Sequence, residues 1–171
     1  MHIRPARPGD EMAVAEVHVR SWQAGYRGLL PDAYLDGLRA EDRARHYTFT
    51  NEDVNTPWTQ VAIDDATRGE AIVGFATTGP TRDTDKEKCG ELYALYVEPT
   101  QWGRGVGAAL IAATRARLIE QGFDEAILWA MEGNARADRF YRIDGWLADG
   151  LRKTESVWGV TVESLRYRRA L

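Results

Sequence analysis

Three glycines at alternate positions, in Trp102-Gly103-Arg104-Gly105-Val106-Gly107-Ala108, stand between a strand-like run and a helix-like one. Glycine lets the backbone approach a ligand closely and turn successive N–H groups toward one point, and a helix N-terminus adds roughly half a positive charge there. The chemistry this serves is capture of an anion, above all a phosphate or pyrophosphate. A P-loop is excluded because no Gly-Lys-Ser/Thr follows. Gly103, Gly105 and Ala108 meet the letters of the dinucleotide fingerprint, but Glu98-Pro99-Thr100-Gln101 intervene between strand and glycines, and the acidic pair Asp124-Glu125 opens the next strand instead of ending it. Binding of a nicotinamide dinucleotide is therefore the weaker alternative.

Other chemistries find little support. His2, His18, His46 and the single Cys89 lack the spacings of a zinc site, so no metal is expected. No Ser, Cys and His cluster suggests an acyl-enzyme, and Cys89 reads as a small residue flanking a strand. With 22 basic against 26 acidic residues the net charge is −4, which leaves no positive surplus for nucleic acid. Trp22 and Tyr26 lie four apart on one helical face. Such a pair usually belongs to a core; lining a cleft, it would stack on a planar or cationic acceptor.

The elements that must carry these residues follow from periodicity and punctuation. A length of 171 residues, 44% of them hydrophobic, suits one domain over 1–171 with a sizeable core. The N-terminus has no apolar signal segment, and the longest notable uncharged run, residues 106–114, falls short of the ~20 residues that span a bilayer. A cytoplasmic protein with no membrane attachment is the expectation. Residues 2–7 read as a strand, with Asp10 placed to cap a helix from Glu11; two further helical pieces follow, over 31–38 and 41–48. Strands are expected over 58–63 and 71–78 around a hairpin loop at 64–69, and over 91–97, whose lack of alternation fits burial on both faces. The polar stretch between Pro80 and Gly90 reads as a solvated loop. The glycine turn opens a helix that Gly122 caps; then come a buried strand over 126–131, a helix capped by Asn134, and strands over 145–151 and 157–168. The order β-ααα-β-β-β-α-β-α-β-β implies an α/β chain with a mixed sheet.

Three segments together resemble the GNAT superfamily of acyl-CoA-dependent N-acetyltransferases. One is Glu-Leu-Tyr-Ala-Leu-Tyr-Val-Glu-Pro from Glu91, with the glycine loop after it. The second is Asn134-Ala135-Arg136-Ala137-Asp138-Arg139-Phe140-Tyr141, followed by Gly145-Trp146, and the third is the opening Ile3-Arg4-Pro5-Ala6 with Gly9-Asp10. Trp102 departs from the family's Gln or Arg at the head of the loop, and Gly-Trp replaces the usual Gly-Phe. The resemblance implies a central, mostly antiparallel sheet of about seven strands flanked by helices and splayed between strands 4 and 5. It implies acetyl-CoA as co-substrate. Backbone groups of Leu95, Tyr96 and Val97 would pair with its pantetheine arm, and Gly103, Arg104, Gly105, Val106, Gly107 and Ala108 would hold the pyrophosphate. Asn134 would bond the cofactor, cap its helix, or both.

By the same resemblance Glu91 is the first candidate for the base acting through water, with Glu132 the second, and Tyr141 is the acid that protonates the departing thiolate. Trp22 and Tyr26 fall where acceptors bind. The implied reaction is direct acetyl transfer to a primary amine on a small molecule or peptide; the acidic balance and the 80–90 loop favour a cationic one. The alternative in another class is an acyl-CoA-binding sensor without turnover. A homodimer through edge strands or the C-terminal hairpin is compatible with the resemblance.

Overall fold

A computed structural model of the protein describes residues 1–50, 57–66, 69–85 and 88–171. Thr67 and Arg68 of the expected hairpin loop, and residues 86–87 of the 80–90 loop, lie outside the described residues. The elements run β1 (His2–Pro5), α1 (Glu11–Gly25), α2 (Asp32–Gly37), α3 (Ala40–Ala44), β2 (Trp58–Asp64), β3 (Ala71–Pro80), β4 (Gly90–Val97), α4 (Val106–Glu120), β5 (Glu125–Met131), α5 (Ala135–Ile143), β6 (Leu147–Val157) and β7 (Val160–Ala170). A 3₁₀ turn over Pro99–Gln101 joins β4 to the glycine loop. The seven strands form one sheet in the order β1-β2-β3-β4-β5-β7-β6. Every neighbouring pair is antiparallel except β4 with β5.

Local chemistry accounts for the boundaries. Gly122 takes a left-handed φ of 85° just past α4, a conformation that costs glycine little. Asn134 caps α5 by accepting from the Ala137 N–H at 3.1 Å. Asp10 occupies the cap position of α1 without capping it. Its carboxylate instead accepts from the Arg4 guanidinium at 2.7 Å and from the Arg7 N–H at 2.9 Å, which ties the first strand to the first helix.

The C-terminal hairpin differs most from the sequence reading. β6 continues through Gly150, where the register slips between Ala148 and Arg152, and the chain reverses at Trp158-Gly159 instead. Trp158 has a φ of 53°, unusual for a large side chain. Its surroundings hold it there: Trp22 stacks on it at 4.3 Å, and Tyr34 donates to its carbonyl at 3.0 Å. The hairpin tip is thereby docked among α1, α2 and α3.

Apolar residues of α4 pack on one face of the sheet around Leu110, Ile111 and Leu128, while Val14 and Val17 of α1 pack with Val61, Ile63 and Phe75 on the other. Within the second layer His18 is buried. Its Nδ1 shares a hydrogen bond with the Tyr47 hydroxyl, and its ring stacks on Tyr96 at 4.2 Å. Burial, with a smaller contribution from the Arg43 charge, holds its pKa well below 6.5. An unfolded histidine takes up a proton near pH 6.5 and the folded one does not, so stability is full above that value and falls as pH drops below it. Between pH 7.5 and 5.5 the loss from this group is about 1.4 kcal/mol. Urea midpoints at the two pH values should show it, and His18→Phe should flatten the difference.

Candidate active site

The sheet opens along β4. Gly90, Glu91 and Leu92 pair in parallel with Ala126, Ile127 and Leu128, and the described pairing ends there. The divergence coincides with a bulge: Thr77 faces Ala94 and Thr78 faces Leu92, so Tyr93 is the extra residue on β4. A bulge bends its strand and raises the local twist, which turns the rest of β4 away from β5. The wedge left between them is a cleft of about 380 Å³. Residues 93–97 form one wall, residues 129–131 the other, and Phe140 and Tyr141 of α5 line it further in.

Ladder phase decides which backbone groups face the cleft. Glu98 donates to the Val73 carbonyl at 2.8 Å, so in the alternating antiparallel pattern Tyr96 bonds to Phe75 while Leu95 and Val97 turn their N–H and C=O toward the gap. Of the three residues expected to pair with an extended ligand, Tyr96 offers its ring and not its backbone. The Val97 carbonyl already accepts from Ser21 Oγ at 2.6 Å and from Trp102 Nε1 at 2.8 Å. Trp102, the departure from the expected loop, thus ties the glycine turn to the end of β4, and Arg136 lies 3.3 Å above its ring.

At the far end of the cleft stands the glycine turn. Gly103 and Gly105 both have left-handed backbones, with φ of 74° and 85°. The first helical bond of α4 runs from Ala109 to the Gly105 carbonyl. Among the described residues, the N–H groups of Gly105, Val106, Gly107 and Ala108 meet no protein acceptor. Four orphan donors at the start of a helix make an anion cradle. Gly107 is needed for packing as well, since a Cβ there would come within 3.2 Å of Phe140. Val106 is a core side chain and offers only its N–H; Arg104 is exposed and lies outside the cleft wall. Arg136, which the sequence reading did not single out, borders the cleft and has no carboxylate partner among the described residues.

Tyr141 and Asn134 line this cleft. Burial, then the nearby phenols of Tyr96 and Tyr167, push the Tyr141 pKa well up, so the hydroxyl keeps its proton across the working range. Glu91 lies outside it, in an adjoining cavity of about 160 Å³. Tyr26, Tyr93, Tyr96, Trp129 and Met131 border both. Trp22 lines the smaller cavity while also belonging to a core cluster with Leu30 and Leu35. Glu132 borders neither cavity; its carboxylate accepts from Arg152 at 3.1 Å.

The Glu91 side chain is only 1% exposed. Its oxygens accept from the Arg82 N–H at 2.8 Å and from the Arg82 guanidinium at 2.5 Å. Arg82 belongs to the loop expected to be solvated and its side chain is 63% exposed, but the loop is also anchored. Arg166 of β7, its side chain 5% exposed, donates to Asp83 at 3.0 Å, to Asp85 at 2.8 Å and to Asp149 at 2.7 Å. Trp129 Nε1 adds a bond to Asp83 at 3.1 Å. The loop's carboxylates are therefore anchored to the sheet and hold Arg82 over Glu91. No short-range pattern links residues 82–85 to Arg166, so the sequence carried no signal for this.

Among the described residues no group of His, Cys, Asp or Glu is arranged to hold a metal, and no helix is long and apolar enough to cross a membrane.

Comparison with known proteins agrees with this arrangement. Residues 18–146 match the Acetyltransferase (GNAT) family. The chain is 30% identical over 132 residues to the uncharacterized N-acetyltransferase YuaI of Bacillus subtilis, covering 77% of this chain and 72% of that protein. It is 32% identical over 158 residues to an uncharacterized N-acetyltransferase of Archaeoglobus fulgidus, covering 91% and 96%. Among solved structures, PaiA N-acetyltransferase from Thermoplasma acidophilum in complex with coenzyme A superposes with a TM-score of 0.69 at 20% identity, over 100% of both chains. With its opened sheet, its bulged fourth strand and its orphan N–H cradle, the chain belongs to the GNAT family of acetyltransferases.

Proposed function

We propose that the protein transfers the acetyl group of acetyl-CoA to a primary amine by direct attack in a ternary complex. The observation that carries this reading is the cleft that runs from the orphan N–H groups of residues 105–108 to the Tyr141 hydroxyl. The cradle suits the pyrophosphate, with Arg136 at the rim as a further cation. Leu95 and the Val97 N–H suit the amides of the pantetheine arm, and Asn134 borders the same path. Gly103 and Gly105 allow the backbone its close approach, while the Arg104 N–H is already committed to the Gln101 carbonyl at 3.3 Å.

In this reading the amine enters from the smaller cavity past Tyr26 and Tyr93 and attacks the thioester carbonyl. The new C–N bond forms as the C–S bond breaks. The amine gives up its proton to water held by the Glu91 carboxylate, and Tyr141 donates its proton to the departing sulfur. An alkyl amine with a pKa near ~10 is almost wholly protonated at neutral pH, so a nearby carboxylate serves both to attract and to deprotonate it.

Calorimetric titration with acetyl-CoA, with NADH as the control ligand, tests the cofactor. Micromolar binding of acetyl-CoA and none of NADH is expected. Arg136→Gln should weaken acetyl-CoA about three- to tenfold, the worth of one rim charge. Binding of NADH instead would restore the dinucleotide alternative; binding of neither would overturn the reading.

A further inference from the structure

The smaller cavity carries four charges in alternation. Arg82 bonds Glu91 at 2.5 Å, Lys153 bonds Glu155 at 3.1 Å, and the Glu155 charge also acts on Arg82. Each cation rests on an aromatic face: the Arg82 guanidinium lies 4.3 Å from the Tyr93 ring centroid, and the Lys153 ammonium 4.3 Å from that of Trp129. A site for a purely cationic amine would hold an excess of carboxylates. This one is balanced, and its two cations stand at the wall it shares with the acetyl-CoA cleft.

Two polar groups there have no partner among the described residues. Arg82 uses its backbone N–H, Nε and Nη2 on Glu91, and its Nη1 has no partner among the described residues. Ser164 borders the cavity, is 4% exposed, and its hydroxyl likewise has no partner among the described residues. It lies on the same face of β7 as Val162 and Arg166, between the apolar end of the cavity and the anchored loop.

We infer that the acceptor is an α-amino acid, or an amine equally close to a carboxylate, bound as a zwitterion across the Arg82–Glu91 pair. The spacing supports it: charges that touch within one ion pair match an ammonium and a carboxylate separated by a single carbon, and they match a long polyamine poorly. The carboxylate takes the open Nη1 of Arg82 and the Lys153 ammonium, and the ammonium faces Glu91, where deprotonation precedes attack. The cavity of about 160 Å³ suits a compact molecule. Its remaining walls include Leu92, Met131, Val157 and Val162, which favours an uncharged side chain. The inference rests on the reading that acetyl-CoA fills the larger cleft.

The test is thiol release at saturating acetyl-CoA from matched acceptors: L-methionine and L-phenylalanine, their amides, and their decarboxylated amines. The amino acids should be preferred about ten- to a hundredfold in kcat/KM, the worth of a charge-assisted hydrogen bond. Lys153→Gln should shrink that preference several-fold by raising KM for the acid while leaving KM for the amide nearly unchanged, whereas Arg82→Gln should shrink it too but also slow the amide, because Arg82 holds Glu91. A merely structural role would move both alike. Equal use of acid and amide, or turnover of amides and amines alone, overturns the inference and leaves acetyl transfer standing. Acetyl-CoA binding without turnover of any acid also overturns it. Failure of acetyl-CoA to bind removes the reading beneath it.

Discussion

Tyr141→Phe is expected to lower kcat about a hundredfold with little change in acetyl-CoA affinity. The sulfur that leaves on acetyl transfer is an alkyl thiolate whose conjugate acid has a pKa near ~8.5, so a proton delivered during departure lowers the barrier. The Tyr141 phenol lines the cleft beside the unpaired part of β4, and burial keeps it protonated. Its ring lies edge-on to Phe140 at 5.3 Å and to Trp146 at 6.3 Å. Phenylalanine keeps those contacts, so the substitution removes the hydroxyl proposed as proton donor and little else. Because the hydroxyl's pKa is raised, the wild-type rate should show no alkaline fall attributable to this group below pH ~10. Steady-state kinetics with a verified acceptor would decide it, and a kcat within twofold of wild type would remove Tyr141 from the chemistry.

Arg166→Met should cost about 3 kcal/mol of folding stability, the larger of the two stability changes expected for this chain. Methionine fills similar space but leaves Asp83 and Asp149, 18% and 12% exposed at their side chains, without their cation. Breaking a buried ion cluster from one side costs far more than replacing it whole, because the remaining charges stay desolvated. Urea unfolding at pH 7 measures it. A loss below about 1 kcal/mol would mean that water already compensates the carboxylates. The same variant releases the segment that holds Arg82 over Glu91, so its acceptor KM should rise even at low temperature, where the fold persists.

How far the sequence could be read depends on the range of the interaction involved. The glycine turn, the Asn134 cap and the Gly122 end of α4 are set within a few residues, and all three were legible. The opening of the sheet after strand 4 was implied by the family resemblance and not by the residues alone, since a bulge at Tyr93 leaves no mark in composition. The C-terminal strands were misdivided for a local reason. The first was ended at Leu151 and the second opened at Val157, whereas β6 runs on to Val157 and the reversal uses Trp158, which turn preferences disfavour. Asp10 was assigned to its helix because caps are local, and Arg4 won it from the neighbouring strand. The smaller cavity was the least legible part. Arg82, Lys153, Glu155 and Ser164 come from a loop and two strands far apart in sequence, and only the sheet order β5-β7-β6 brings them together.

The docking of Trp158 among α1, α2 and α3 bears on how the molecule is made. Trp22 and Tyr34, near the start of the chain, meet a residue close to its end, and β7 must insert between β5 and β6 before that meeting occurs. Contacts of such sequence separation form late, because loop closure must be completed before they contribute. On the ribosome the glycine cradle and its helix emerge well before the hairpin does. A nascent chain would thus hold the N–H groups of residues 105–108 ready first and close the smaller cavity, walled in part by Lys153, Glu155 and Ser164, only when its last strand is released.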